Sequence, residues 1–184
     1  SLSFAALDLH FLKDTDLVCG NNKADQSHQS VIFNGSFLFG NCILKKTGEG
    51  GVRITGGCDG SAFTGTNVIE EGRLNLNANN IFPNGTIFVD ASSGSPKIDS
   101  WGNPGGSMGT VILSGSAQIM ATGNQFCEWG NLVIDDFGNT VQNVDSNTIV
   151  SFTGTVSGNG QLRNFSWKGD PEAGTTEFVG QMSP

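Results

Sequence analysis

LKKTGEGGVRITG, residues 44–56, is followed after a short link by FTGTNVIEEGRLNLN (63–77) and then by NGTIFV (84–89). Three triplets punctuate this stretch: Val52-Arg53-Ile54, Leu74-Asn75-Leu76 and Ile87-Phe88-Val89. Successive side chains of a strand point to opposite faces, so each triplet sends its first and third residues to one side and its middle residue to the other. Glycine and asparagine between the triplets accept the left-handed backbone of tight corners. The stretch therefore reads as short strands joined by corners, repeated.

Working outward, the same writing continues from Val31 to Val179. No segment of ten residues has a helical period. The apolar runs are three to six residues long, and Asn-Gly, Asp-Gly, Gly-Asn and Ser-Gly separate them. The chain is predicted to be all-β. Two interleaved apolar series, Val31-Val52-Leu74-Ile98-Ile119-Val141-Leu162 and Val68-Val89-Val111-Val133-Val156-Phe178, recur about every 22 residues. That period suits one coil of a parallel β-helix, whose coils stack at the strand spacing of about 4.8 Å. Arg53, Asn75 and Phe88 would then face outward, and Asn75, Asn77, Asn79 and Asn80 are candidates for amide stacking between coils. An antiparallel β-sandwich or jelly roll is the alternative, since it too is built from many short strands.

Leu44-Lys45-Lys46-Thr47-Gly48-Glu49-Gly50-Gly51-Val52-Arg53-Ile54-Thr55-Gly56 resembles the passenger-associated repeat of bacterial autotransporters, which reads L-x-K-x-G-x-G-x-L-x-L-x-G. Phe63-Thr64-Gly65, Val68 and Gly72-Arg73-Leu74-Asn75-Leu76 are similar to its continuation, and Asn84–Val89 to the strand that follows. The resemblance covers residues 44–89 best. It implies a right-handed parallel β-helix on a cell surface or in a secreted protein.

Residues 1–18 are the most apolar segment. Leu2, Phe4, Leu7, Leu9 and Phe11 suit an N-terminal strand or cap that lends itself to an open sheet edge, with 19–184 forming a single β domain. The four cysteines, Cys19, Cys42, Cys58 and Cys127, lack metal-site spacing and are expected to form disulfides in an oxidising compartment. A net charge of −8 with only nine scattered lysines and arginines argues against nucleic acid. No run of apolar residues is long enough to span a membrane.

Chemistry is thinly written. Asp135-Asp136 and Glu70-Glu71 are adjacent pairs, which on a strand point to opposite faces and cannot address one bond. His10 and His28 stand apart from them, and no G-x-S-x-G occurs. No enzyme is expected; a polysaccharide hydrolase or lyase is the remote alternative. Calcium is the one ion for which ligands are offered, at Asp135 and Asp136, and no other cofactor is expected. Trp101 and Trp129, in glycine-flanked contexts, are candidates for stacking on a glycan. Asn34, Asn84 and Asn164 head glycosylation sequons. The expected function is an extracellular structural or adhesive protein, a filament subunit joined to copies of itself through its N-terminal segment. The alternative is a carbohydrate-binding or carbohydrate-processing β-helix module, similar to a tailspike, with a glycan or cell surface as partner.

Overall fold

The structure, a computed structural model, describes residues 2–20, 29–77, 81–101, 108–123, 126–143, 147–166 and 174–182. The described residues form strands and corners and no helix. The first rung is β1 (Leu2–Ala5), β2 (Asp8–Phe11) and β3 (Thr15–Val18). The second is β4 (Gln29–Asn34), β5 (Phe37–Gly40) and β6 (Ile43–Thr47), and the third β7 (Gly51–Thr55), β8 (Asp59–Phe63) and β9 (Thr66–Ile69). Beyond these the described rungs have two main strands: β10 (Arg73–Asn77) with β11 (Thr86–Asp90), then β12 (Lys97–Trp101) with β13 (Met108–Ser114). Next come β14 (Gln118–Thr122) with β15 (Phe126–Asp135), and β16 (Asn139–Asn143) with β17 (Ile149–Phe152) and the short β18 (Val156–Ser157). The last pair is β19 (Leu162–Ser166) and β20 (Thr175–Phe178).

All pairings are parallel and each joins one rung to the next, so the chain is a parallel β-solenoid with coils about 23 residues long. One sheet has eight strands, β1-β4-β7-β10-β12-β14-β16-β19. A second has nine, β3-β6-β9-β11-β13-β15-β17-β20, with β18 also on β15. A third, among the described residues, holds β2-β5-β8. The antiparallel sandwich is excluded.

The first predicted series is one inward column of the eight-stranded sheet: Val31, Val52, Leu74, Ile98, Ile119 and Val141 are in register and buried. Its last member differs, since Val141 pairs with Asn164 and Leu162 with Asn139. The second series names the right strands in the wrong register. Val68 pairs with Phe88, not Val89, and both point outward and are half-buried. The true inward columns are Leu44-Asn67-Ile87-Val111-Leu132-Val156 and Lys46-Ile69-Val89-Leu113-Ile134. The two large sheets thus press inner faces together. Each fully buried aliphatic side chain there contributes about 1.5–3 kcal/mol.

The second of those inward columns, which Leu17 of the first rung extends, contains a lysine. Lys46 is 2% exposed, and its Nζ donates to the carbonyls of Thr47 (3.2 Å), Gly48 (2.5 Å) and Glu71 (2.7 Å). It thereby fastens the corner between β6 and β7 to the corner between β9 and β10. Gly72, at φ 71°, completes that second corner, where a Cβ would run into the carbonyls of Gly48 and Gly50 and the Lys46 amine. The fixed positions of the Leu44–Gly56 stretch are inward or at corners, which is why they recur at every second residue.

Candidate functional site

Register builds the most polar constellation, on the outer face of the eight-stranded sheet. One outward row reads Gly51, Arg73, Lys97, Gln118, Thr140, and the next reads Ile32, Arg53, Asn75, Asp99, Met120. Three of the nine basic side chains, Arg53, Arg73 and Lys97, are therefore neighbours on three consecutive strands. Arg73 Nη1 lies 3.6 Å from Asp99 Oδ2. Although on the outer face, Asn75 and Asp99 are only 8% and 6% exposed. Arg53 Nε, Asn75 Oδ1 and Asp99 Oδ1 are all buried without a hydrogen-bond partner. An unpaired buried polar atom is costly, and three in one register row mark a place where polar chemistry is concentrated.

Burial disfavours charge at both central groups. It pushes the Asp99 carboxyl above the usual carboxylate range, against the pull of Arg73 and Lys97. It pushes the Lys97 ammonium below its ordinary value, with the Arg73 charge adding to the effect and Asp99 opposing it. Beside these groups runs an open trough. One part, about 480 Å³, is lined by Glu71, Gly72, Arg73, Gly94, Ser95 and Lys97, with Glu49 alongside. A second part, about 290 Å³, shares Ser95 and Lys97 and runs on past Ser116, Gln118 and Thr140. The trough thus follows the corner from rung to rung, along the stacking direction.

The other notable surface is the end of the solenoid at the first rung. Among the described residues, β1, β2 and β3 each pair on one side only. Their inward residues Phe4, Leu9, Phe11 and Leu17 are half-buried, whereas Phe33 and Leu38 one rung on are buried. Phe4 stacks on Phe33 at 5.5 Å and His10 on Phe39 at 4.5 Å. Leu2, Leu7, Leu12 and Val18 around this end are exposed. The predicted segment of Leu2, Phe4, Leu7, Leu9 and Phe11 is therefore the first rung itself, laid in register on the second.

The remaining predicted residues are dispersed. The disulfide expectation is overturned: all four thiols are free. They sit at different corners and strands and each has a local partner. Cys19 Sγ meets Leu17 O, Cys42 Sγ meets Phe11 O, Cys58 Sγ meets Thr55 O, and Cys127 Sγ lies 2.8 Å from Ser100 Oγ. Cys19, Cys58 and Cys127 fill the core as small hydrophobes. Trp129 is fully buried, so no glycan ring reaches it. Trp101 ends β12, but its side chain, like His28, Asn79 and Asn80, lies outside the described residues. Asn75 is in register with Arg53 and Asp99 and Asn77 with Thr55, so neither stacks on another asparagine there. Asn34, Asn84 and Asn164 are exposed.

Asp135, the last residue of β15, and Asp136, which opens the corner after it, are exposed; Asp136, at φ 81°, accepts from the Phe137 amide. Among the described residues no three His, Cys, Asp or Glu side chains converge on a point where a metal ion would sit. Among them, too, no helix is long and apolar enough to cross a membrane.

Sequence reasoning missed the Arg53, Arg73, Lys97, Asp99 group because Arg53, Arg73 and the Lys97–Asp99 pair stand 20 to 46 residues apart in the chain. The signal was present: charged residues beside inward members of the first series (Arg53 after Val52, Arg73 before Leu74, Lys97 and Asp99 around Ile98) must share one outer face once the coils stack. No protein-family model, no curated protein and no solved structure matches the chain.

Proposed function

We propose that this chain is a structural, adhesive subunit that works outside the cell or on its surface, stacking end to end with copies of itself. One observation carries the reading: among the described residues, the first rung leaves the edges of all three sheets unpaired and its apolar inward residues half-covered. An unpaired edge is a template for another strand. At the far end, β19 and β20 are the terminal strands of the same two large sheets. Phe178, Val179 and Met182 are exposed there. Parallel ladders have the same direction at both ends, so β19 of one copy meets β1 of the next, and β20 meets β3, without reversing a strand. Such a head-to-tail contact is heterologous and propagates. The resemblance of residues 44–89 to the autotransporter passenger repeat supports the extracellular setting.

Deleting the first eleven residues would merely bare β4 and β5, so substitution is the cleaner test. Leu12 and Val18 are 90% and 76% exposed, and a charge there leaves the core alone. The unaltered chain is expected to form linear particles one solenoid wide by electron microscopy, with sedimentation that depends on concentration. The Leu12→Glu/Val18→Asp variant is expected to stay monomeric with an unchanged melting temperature. A monomer at every concentration for the unaltered chain, or polymers indifferent to the two charges, overturns the proposal.

A further inference from the structure

The trough on the outer face has features that end-to-end stacking does not use. Arg73 and Lys97 are direct register partners, so two like charges lie side by side on neighbouring strands. Like charges placed directly opposite destabilise a sheet unless something of opposite sign intervenes. Asp99 supplies part of this through Arg73, at 3.6 Å, but its second oxygen is unpaired. The Arg73 side chain is 41% exposed and lines the trough, so its guanidinium remains available from that side. In a chain of net charge −8, the surroundings repel anions. An anion held here is held by these two cations and not by a general field.

Acceptors stand beside the cations. Glu71 and Ser95 line the trough. Such groups call for hydroxyl donors on the ligand. The trough is also long for its width. The row Arg73, Lys97, Gln118, Thr140 presents a polar side chain on each of four successive strands, spaced at about 4.8 Å by the sheet itself. An anionic group, several hydroxyls and a linear repeat describe one chemical class.

We propose that the trough binds a linear polyuronate, an acidic polysaccharide whose residues each carry one carboxylate and free hydroxyls. One carboxylate spans Arg73 and Lys97, with Arg73 giving the bidentate geometry that carboxylates prefer. Asp99 acts as a positioning residue, holding the guanidinium toward the trough. The next sugar along the corner meets Gln118, Ser116 and Thr140. A densely sulfated chain fits less well, because its extra charges would face Glu49 and Glu71.

Titration calorimetry tests this with three probes: an α-1,4-linked galacturonate hexamer, the glucose hexamer, and a sulfated oligosaccharide of equal length. The galacturonate hexamer is expected to bind, and the other two to bind at least about tenfold more weakly. Lys97→Gln and Arg73→Gln are each expected to weaken the galacturonate about ten- to a hundredfold, the range for losing a charge-assisted hydrogen bond. Arg73→Lys should keep part of the binding. Lys45→Gln is the control: Lys45 belongs to the other sheet and is paired with Glu70 at 2.8 Å, and its loss should change nothing. Melting temperatures of all variants show whether each is folded. No binding of the galacturonate, equal binding of the glucose hexamer or the sulfated chain, or an equal loss in Lys45→Gln overturns the proposal.

Discussion

Lys46 shows how a single residue can be decisive in structure without standing out in sequence. Beside Lys45 it looks like half of an exposed basic pair, yet Lys45 reaches Glu70 on the surface while Lys46 turns into the core. The two-residue alternation from Leu44 to Ile54 does place position 46 inward. What the alternation lacks is a reason for a cation to be there, because the three carbonyls that receive it come from two different corners. Lys46→Met, similar in length but without donors, leaves those carbonyls unbonded by the side chain and is expected to lower stability by about 2–4 kcal/mol in urea denaturation. Its pH dependence gives a second check. Burial lowers the Lys46 pKa in the folded state, so between that value and the ordinary 10.5 the unfolded chain binds more protons. Lys46's contribution to stability therefore rises with pH across this alkaline window, and the slope difference between the two proteins should disappear above it.

At the scale of elements, strands and corners were legible and register was not. The period of about 22 residues found the eight-stranded sheet because its inward residues are flanked by Arg53, Asn75 and Asp99, which leave no doubt about which side is which. In the nine-stranded sheet both faces carry apolar residues, as at Phe88-Val89 and Val111-Ile112-Leu113. Alternation cannot then say which residue points inward, and a slip of one reverses every side chain. The third sheet was missed as a separate layer because, among the described residues, it spans three rungs. Its corner with the first sheet is held by Ser36, fully buried, whose Oγ donates to Phe4 O and accepts from the Leu7 amide, each at 3.4 Å. These bonds anchor the first rung to the second. Ser36→Ala is expected to cost about 1 kcal/mol and to speed hydrogen exchange at the Leu7 amide while amides of β13 keep their protection. Uniform acceleration throughout would show that the first rung has no local stability of its own.

For the molecule as a whole, the fold could be read and the trough could not, because the trough exists only after stacking brings Arg73, Lys97 and Asp99 together. Asp99 also leaves a mark on global stability. Its folded pKa is raised by burial, so the folded chain holds that proton more tightly than the unfolded chain does. The stabilisation this gives is present at acid pH and lost as pH rises through the folded value. Asp99→Asn is expected to gain on the unaltered protein over that rise in a series of melts, since it never acquires the buried charge. The Arg73 pairing it forgoes is to a partly exposed guanidinium and is worth little. A parallel gap at all pH values would show that Asp99 is not the group responsible.

The uniform strand direction has one more consequence. Because every ladder is parallel, the two ends of the described solenoid are unlike surfaces, and the proposed stack of copies would be a polar rod with a distinct front and back. Under that proposal the Leu12→Glu/Val18→Asp subunit would be blocked at the front but unaltered at the back. Mixed with unaltered copies, it would join a growing rod by its good end and present a face that nothing can follow. A few per cent of such subunits should shorten the whole population, and the rods should stop at one end only.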